Sequence, residues 1–410
     1  MVMRRNLCLT MIASLTISGC VDDTRQSPKQ QNLQYDVVSQ PRTVLSKTDT
    51  ERLWSAYRTA ETCMDHTVYG AGQGFSIETK SSISFENSPW HNPFFREEAL
   101  AGSAKISGRN PNPIIIVDLV EAYGERLGAV DYARQWFTNA NQLMLRETNI
   151  QSREQVKQVL LDWASQDALS KGIHVSWGTK PVDWQIMSLI SSILVSASII
   201  GPDLTPNERV LIGQWLNPLV RDVAKSSWRH RQDNKAYMAA YITLVWGYMT
   251  SDHQAIQSAI NVYKTAINDM RPDGSFPIDS QRGGMGLKYN ADALGYLVMI
   301  AALVKKNSNQ DLYDFSVDGR SIHNAVVFVA NGIKNPSETN QIYAISCPDS
   351  GDRWGSISQP SLYFKEASTY LSVYAWHNPN EEISGFIRNY YGNNKTPSEV
   401  FGAAPVYLIR

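Results

Sequence analysis

Hydrophobic positions along this chain recur mostly at helical spacing. In QVKQVLLDWASQDAL (155–169), Val156, Val159, Leu160, Trp163 and Ala164 fall on one face, the pattern of an amphipathic helix. Two stretches depart from it: QIMSLISSILVSASII (185–200) and AYMAAYITLVWGYM (236–249) carry no charge on any face. They predict helices buried on all sides and are too short, as read from these runs, to span a bilayer. A third, ADALGYLVMIAALV (291–304), has one charge, Asp292, near its start. Buried helices alternating with amphipathic ones such as ERVLIGQWLNPLVRDVAK (208–225) predict an inner ring of helices wrapped by an outer one, built from successive hairpins. Strand-like alternation is scarce and no strict repeat period is visible, so the expected fold is all-α, a closed (α/α) toroid rather than an open solenoid. Tyr237 and Trp246 are expected in its core. The stretch from about Asn378, rich in Gly, Asn and Pro, is expected to cross the surface.

Composition adds bounds rather than detail. The 410 residues are 43% hydrophobic and 19% charged, ordinary for a globular protein with a large core. With 38 basic against 39 acidic side chains, nothing global points to nucleic acid, so an anionic ligand needs a local cluster. No Cys/His spacing suggests a zinc site, no glycine-rich loop suggests phosphate binding, and no feature demands a metal or organic cofactor.

The first residues do not read as part of the fold. MVMRRNLCLTMIASLTISGC has two arginines, an apolar run from Leu7 to Ile17, then small residues before a cysteine, the layout of a secretory signal. Ile17-Ser18-Gly19-Cys20 resembles a bacterial lipobox, which implies acylation of Cys20 after cleavage; the alternative is an ordinary cleaved signal. Val21 follows the cysteine, where an aspartate would resemble an inner-membrane retention signal, so a periplasm-facing lipoprotein of the outer membrane is the expectation. Residues 21–47 are polar and aperiodic and read as a tether, leaving 48–410 as the domain. Cys63 and Cys347 would then be the remaining cysteines, able to pair in an oxidising compartment or to stay free.

Two polar clusters sit just before the uncharged helices: RHRQDNK (229–235) before the helix from Ala236, and RPDGSFPIDSQRGGMGLKYN (271–290) before the helix from Ala291. At the N-termini of inner helices they would meet at one mouth of a toroid, where unpaired backbone N–H groups and the helix dipole favour an anion. Here the chain resembles a known family. LLDWASQDAL (160–169), VDW (182–184), DNKAYMAAY (233–241) and DGSFPIDSQRGGMGLKYNADAL (273–294) look like alginate (mannuronate) lyases, helical toroids that cleave uronic-acid polysaccharides by β-elimination. The last segment, with an Arg seven residues before a Tyr, is the most specific. FGAAPVYLIR (401–410) resembles the family's ending, whereas residues 48–150 match only weakly.

Elimination requires removal of the proton beside the uronate carboxylate, and that proton becomes acidic only once the carboxylate charge is neutralised. The resemblance gives this role to Asn234, helped by Arg282. It makes Tyr289 the catalytic tyrosine. Where the family has histidine this chain has Lys235, and a lysine with an ordinary pKa of about 10.4 is a poor base at neutral pH. Three roles stay open: Lys235 is a base retuned by Arg231, Arg282, Lys288 and burial; it binds substrate while Tyr289 acts as both base and acid; or catalysis is lost. Arg231, Lys288 and His230 are candidate substrate-binding residues, although His230, like His174, reads better as a supporting residue than as a catalyst. Trp177, Trp184, Trp90 and His91 are candidates for lining sugar subsites, against the alternative that such aromatics simply fill core.

The expected partners are an acidic polysaccharide and, through the lipid, a membrane. Two other functions compete with a lyase. One is a glycoside hydrolase using two carboxylates, for instance Asp233 and Asp279, since toroids host that chemistry too. The other is a non-catalytic polysaccharide-binding lipoprotein.

Overall fold

Scarcity of charge marks most of the helices that go inside, although one of them, Tyr123–Arg146, is charged. The structure, a computed structural model, describes residues 77–80, 83–86, 90–94, 104–114, 123–146, 150–170, 176–177, 180–181, 183–225, 232–280, 286–334, 369–391, 395–398 and 400–409. The signal and tether, 1–47, lie outside these residues, as do Cys20, Cys63 and Cys347. The helices are α1 Tyr123–Arg146, α2 Ile150–Ser165, α3 Asp183–Ile200, α4 Pro206–Lys225, α5 Asn234–Thr250, α6 His253–Asp269, the short α7 Pro277–Ser280, α8 Gly286–Asn307, α9 Ile322–Lys334, α10 Tyr370–His377, α11 Glu382–Tyr391 and α12 Pro405–Ile409. Among the described residues, β-structure amounts to two antiparallel pairs, Ser176–Trp177 with Lys180–Pro181 and Ser316–Val317 with Arg320–Ser321.

α1, α3, α5, α8 and α10 pack side by side in that order, and each is backed by the helix that follows it in a hairpin: α2, α4, α6, α9 and α11. The two layers are those of an all-α (α/α) toroid. The uncharged runs fall where expected, since α5 buries nearly every residue from Ala236 to Thr250, Tyr237 and Trp246 included. The amphipathic helices form the outer layer, and in α2 the predicted face of Val156, Val159, Leu160, Trp163 and Ala164 is the buried one. Edge-to-face aromatics join the layers: Phe137 of α1 lies 5.5 Å from Trp163, which lies 6.5 Å from Trp215 of α4. Both indoles are also satisfied, Trp163 Nε1 donating to Pro111 O and Trp215 Nε1 to Ala168 O.

Two expectations about length and position need correction. The buried helices extend beyond their uncharged runs, so Trp184–Asp203 and Gly286–Asn307 are long and apolar enough to cross a membrane by length and composition. However, 89% and 83% of those windows are buried within the fold, which marks them as core helices. The stretch after Asn378 does not simply cross the surface. It forms α11, and its end then packs between the inner helices, with α12 against α1, α8 and α10. Phe401 stacks edge-on with Tyr241 of α5 and Tyr296 of α8, each at 5.5 Å, while Asn141 of α1 donates to the carbonyl of Gly402 at 2.9 Å. Gly402 has φ +76, and a Cβ there would come within 2.8 Å of Ser192 Cα in α3. Small residues that read as a loop in the sequence are there because the approach is close.

Residues 90–93 fix the direction of the inner helices. Trp90 packs on Gly201 just past α3, His91 N–H donates to Met249 O near the end of α5, and Asn307 at the end of α8 donates to Pro93 O. The C-termini of α3, α5 and α8 therefore share one end, and their N-termini share the other.

Candidate active site

At the N-terminal end of α5, Asp233 takes the N-cap position with extended backbone (φ −127, ψ 176). Its carboxylate accepts from the N–H groups of Lys235 at 3.2 Å and Ala236 at 3.3 Å. Such a cap stabilises a helix by about 1 kcal/mol and draws further benefit from the dipole. It also moves the helix start two residues earlier than the sequence suggests, so Asn234 and Lys235 stand in the first turn. Asn234 is buried and its N–H points to the Asp279 carboxylate at 3.4 Å, whereas Lys235 is partly exposed. Asp233 is thus engaged in capping and Asp279 lies wholly buried beneath the same helix end, which is not the setting the hydrolase pair would need.

Tyr237, one turn further in, donates its phenolic O–H to Gln232 O at 3.1 Å. Burial first, then the charges of Asp279, Asp233 and Asp269, hold this phenol well above the usual tyrosine range. It is a permanently protonated strut.

α8 begins at Gly286 rather than near Ala291, which places Lys288 and Tyr289 in its first turn. Tyr289 is partly exposed, in contrast to Tyr237. Lys288 Nζ sits 4.4 Å from the centre of the Tyr289 ring and pairs with Asp292 at 2.8 Å, one turn along the helix. Lys288 was expected to bind substrate; here its charge is already matched by Asp292. The short α7 bridges the two helix starts. Asp279 in α7 meets the Asn234 N–H, and the Phe276 ring before it lies 5.8 Å from Tyr237. Asn290, next to Tyr289, accepts from Phe276 N–H at 2.6 Å and donates to Ser280 Oγ at 3.0 Å and Gly286 O at 2.8 Å.

Asn234, Lys235, Lys288 and Tyr289 are therefore brought together where inner-helix N-termini gather. Trp184, second residue of α3, stands at this end too, with the Arg134 guanidinium 5.5 Å from its ring centre. Trp90 and His91 do not. They cover the C-terminal ends, separated from Asn234 by the length of α5, about 25 Å at 1.5 Å per residue. Trp90 is buried core and packs on Gly201. Arg282, Arg231, His230 and His174 lie outside the described residues. Trp177 belongs to the first strand pair, and its side chain is likewise outside them. Among the described residues no group of three or more His, Cys, Asp or Glu side chains could hold a metal ion. The sequence offered Asp279 only as a carboxylate of the competing hydrolase and gave Asn290 no role.

The family model for alginate lyase matches residues 117–339, more than half of the chain. The chain belongs to the alginate lyase family. The matched residues contain Asn234, Lys235 and Tyr289, while α10–α12 lie beyond them. Curated relatives include a polysaccharide lyase of Stenotrophomonas maltophilia, 27% identical over 156 residues (37% of this chain, 46% of that one). An alginate lyase of Cobetia marina is 26% identical over 190 residues (44% and 48%). The chain spans about half the length of the curated relatives it matches. Among solved structures, a variant of alginate lyase A1-III complexed with a tetrasaccharide superposes with a TM-score of 0.59 at 16% identity, covering 88% of this chain and 94% of that one. Alginate lyase A1-III from Sphingomonas species A1 gives 0.56 at 17% over the same shares. At these identities the likeness speaks for the toroid fold of this alginate lyase family member.

Proposed function

We propose that this protein is a polysaccharide lyase that cleaves a uronate-containing polysaccharide by β-elimination. The observation that carries this reading is the meeting of Asn234 and Lys235, in the first turn of α5, with Tyr289, in the first turn of α8, at the end where inner-helix N-termini gather. The helix dipoles and the lysine side chain favour an anionic sugar there, the first-turn N–H groups of α5 being taken by Asp233 and Asp279.

In this mechanism the Asn234 carboxamide donates to the uronate carboxylate, with Arg282 adding charge, and so acidifies the neighbouring C5 proton. The Tyr289 phenolate takes that proton, the C5–H electron pair becomes the C4–C5 double bond, and the C4–O bond to the next sugar breaks. The departing oxygen receives the proton from the same phenol, which is geometrically natural when proton and leaving group share one face of the ring. Lys235 then binds a carboxylate of the substrate rather than acting as base. Tyr237 is unsuited to the role, because its buried phenol stays protonated.

The test is ultraviolet absorbance during incubation with a panel of acidic polysaccharides, alginate among them. The expected result is a rise from the unsaturated uronate at the new non-reducing end. Falling viscosity with no rise would replace elimination by hydrolysis, and saturable binding with no chain shortening would replace it by a binding role. We also propose that Cys20 carries lipid and anchors the protein facing the periplasm. Radiolabelled palmitate should mark the wild type and leave Cys20→Ser unlabelled; equal labelling of both would sink this reading.

A further inference from the structure

The turn before α7 is anchored to the outer layer of helices. Arg271 N–H donates to Ser275 O and Gly274 N–H to Arg271 O, each at 2.9 Å, and the Asp273 carboxylate accepts from Ser275 N–H at 2.8 Å and from its hydroxyl at 2.7 Å. Gly274 has φ +92 and lies so close to the start of α9 that a Cβ there would collide with the Asn324 carbonyl. Phe276 follows this turn. Its ring is fully buried and lies 5.8 Å from the ring of Tyr237, one turn into α5 from Asn234. Its N–H donates at 2.6 Å to Oδ1 of Asn290, the residue after Tyr289 in α8, and its carbonyl accepts from Ser280 N–H at 2.9 Å across α7. One residue therefore meets α5 through its ring and α8 through its backbone, and it does so from a fixed turn.

We infer that Phe276 is a positioning residue of this site: it is the joint that sets the spacing between the first turn of α5, with Asn234 and Lys235, and the first turn of α8, with Tyr289. The inference rests on the lyase reading for its catalytic consequence, though not for its geometry. Elimination needs the group that binds the carboxylate and the group that takes the neighbouring proton to keep a fixed separation, because both act on adjacent atoms of one sugar. Packing along α5 and α8 holds the two helices together. Helix ends are nevertheless where local opening costs least, so the first turns need a tie of their own. An aromatic ring suits the task, since it is rigid and its contact with Tyr237 has a preferred geometry. Leucine fills much of the volume and makes no ring contact, whereas alanine leaves a cavity.

The test compares Phe276→Leu and Phe276→Ala with the wild type and with Phe137→Leu, a change at a buried aromatic of the α1–α2 contact. Cooperative thermal unfolding first shows which variants are folded, and the leucine variant serves if the alanine variant is not. Hydrogen–deuterium exchange, read by mass spectrometry on peptides covering 233–240 and 286–296, needs no activity. Exchange about tenfold faster is expected at both helix starts in the Phe276 variants and at neither in Phe137→Leu. On the polysaccharide that the wild type cleaves, kcat should fall about tenfold in Phe276→Leu and about 100-fold in Phe276→Ala, with KM within roughly threefold, the scale on which ångström-sized misplacement of a reacting group is felt. Phe137→Leu should lose stability and keep its kcat. Faster exchange at only one helix start, or at neither, would overturn the inference. So would a kcat no lower than that of Phe137→Leu. A wild type that yields no unsaturated product would fail the lyase reading, and the exchange rates would still decide whether Phe276 joins the two helix starts.

Discussion

At the N-terminal ends of the inner helices, polar side chains are held by other polar groups: Asp233 caps α5, Asp279 sits under Asn234, and Asn290 ties α7 to α8. At the C-terminal ends, about 25 Å away along α5, residues 90–93 cover the helices instead, with the Trp90 ring on Gly201 and backbone or carboxamide bonds at His91 and Pro93. Lys305 and Lys306 also lie there, where positive charge complements the dipole. The same helices thus end in two different ways. One end fixes polar side chains through hydrogen bonds, and the other packs an indole against the end of a helix. Polar residues of the first kind are held by hydrogen bonds, Asp233 stabilising the helix it caps, whereas the Trp90 ring of the second kind is held by packing.

Removing the phenol should produce the largest effect at the first end. Tyr289→Phe is expected to lower kcat by about 10²- to 10⁴-fold, the range for a lost acid–base group, with oligosaccharide affinity within threefold. A variant retaining a tenth of the wild-type kcat would take Tyr289 out of the chemistry. The counterpart at the other end is Trp90→Ala, expected to destabilise by about 3–5 kcal/mol in denaturant unfolding while leaving kcat/KM of the folded enzyme unchanged. A selective loss of kcat/KM there would erase the distinction between the ends.

Lys235→Ala sharpens the comparison from within the site. As a substrate-binding residue it should raise KM about tenfold, as a lost charge-assisted contact does, and change kcat little; a collapse of kcat at unchanged KM would make Lys235 the base. A pH effect is expected at the far end, where burial and the nearby Lys305 and Lys306 lower the His377 pKa to about 4. The unfolded chain binds a proton at this residue near pH 6.5 and the folded chain does not, so stability should fall as pH drops from about 6.5 towards 4. The slope is at most about 1.4 kcal/mol per pH unit, and less because the ring is partly exposed. His377→Gln should flatten that part of the curve, and an unchanged slope would assign it elsewhere. The smallest effect is expected of Asp233→Asn, since asparagine caps as well as aspartate: stability within a few tenths of a kcal/mol and elimination largely intact. Abolished activity would revive a carboxylate mechanism.

Much of this fold could be read from where charges are missing. Runs 185–200, 236–249 and 291–304 lie in α3, α5 and α8 because a helix with no polar face has nowhere to go but the inside. The local motifs were legible as positions: Asn234 and Lys235 fall in the first turn of α5 and Tyr289 in the first turn of α8, which packs beside it. Contacts made across the sequence left no local trace. For Trp90 the sequence left a sugar subsite and core both open, and the contact with Gly201 favours core; Asn290 has its three partners 4 to 14 positions upstream. Gly402, Ala403 and Ala404 read as loop because smallness in a sequence does not say whether the space around it is open or crowded.

The packing of residues 401–409 among the inner helices also orders events in time. Asn141 in α1 and its partner Gly402 are 261 residues apart. At about 5–20 residues per second of synthesis, that separation is roughly 13 to 50 seconds. For that interval the Asn141 side chain lacks its Gly402 partner and the α3 surface around Ser192 lacks its cover. Without residues 401–409 the hairpins would lack the piece that packs against α1, α8 and α10.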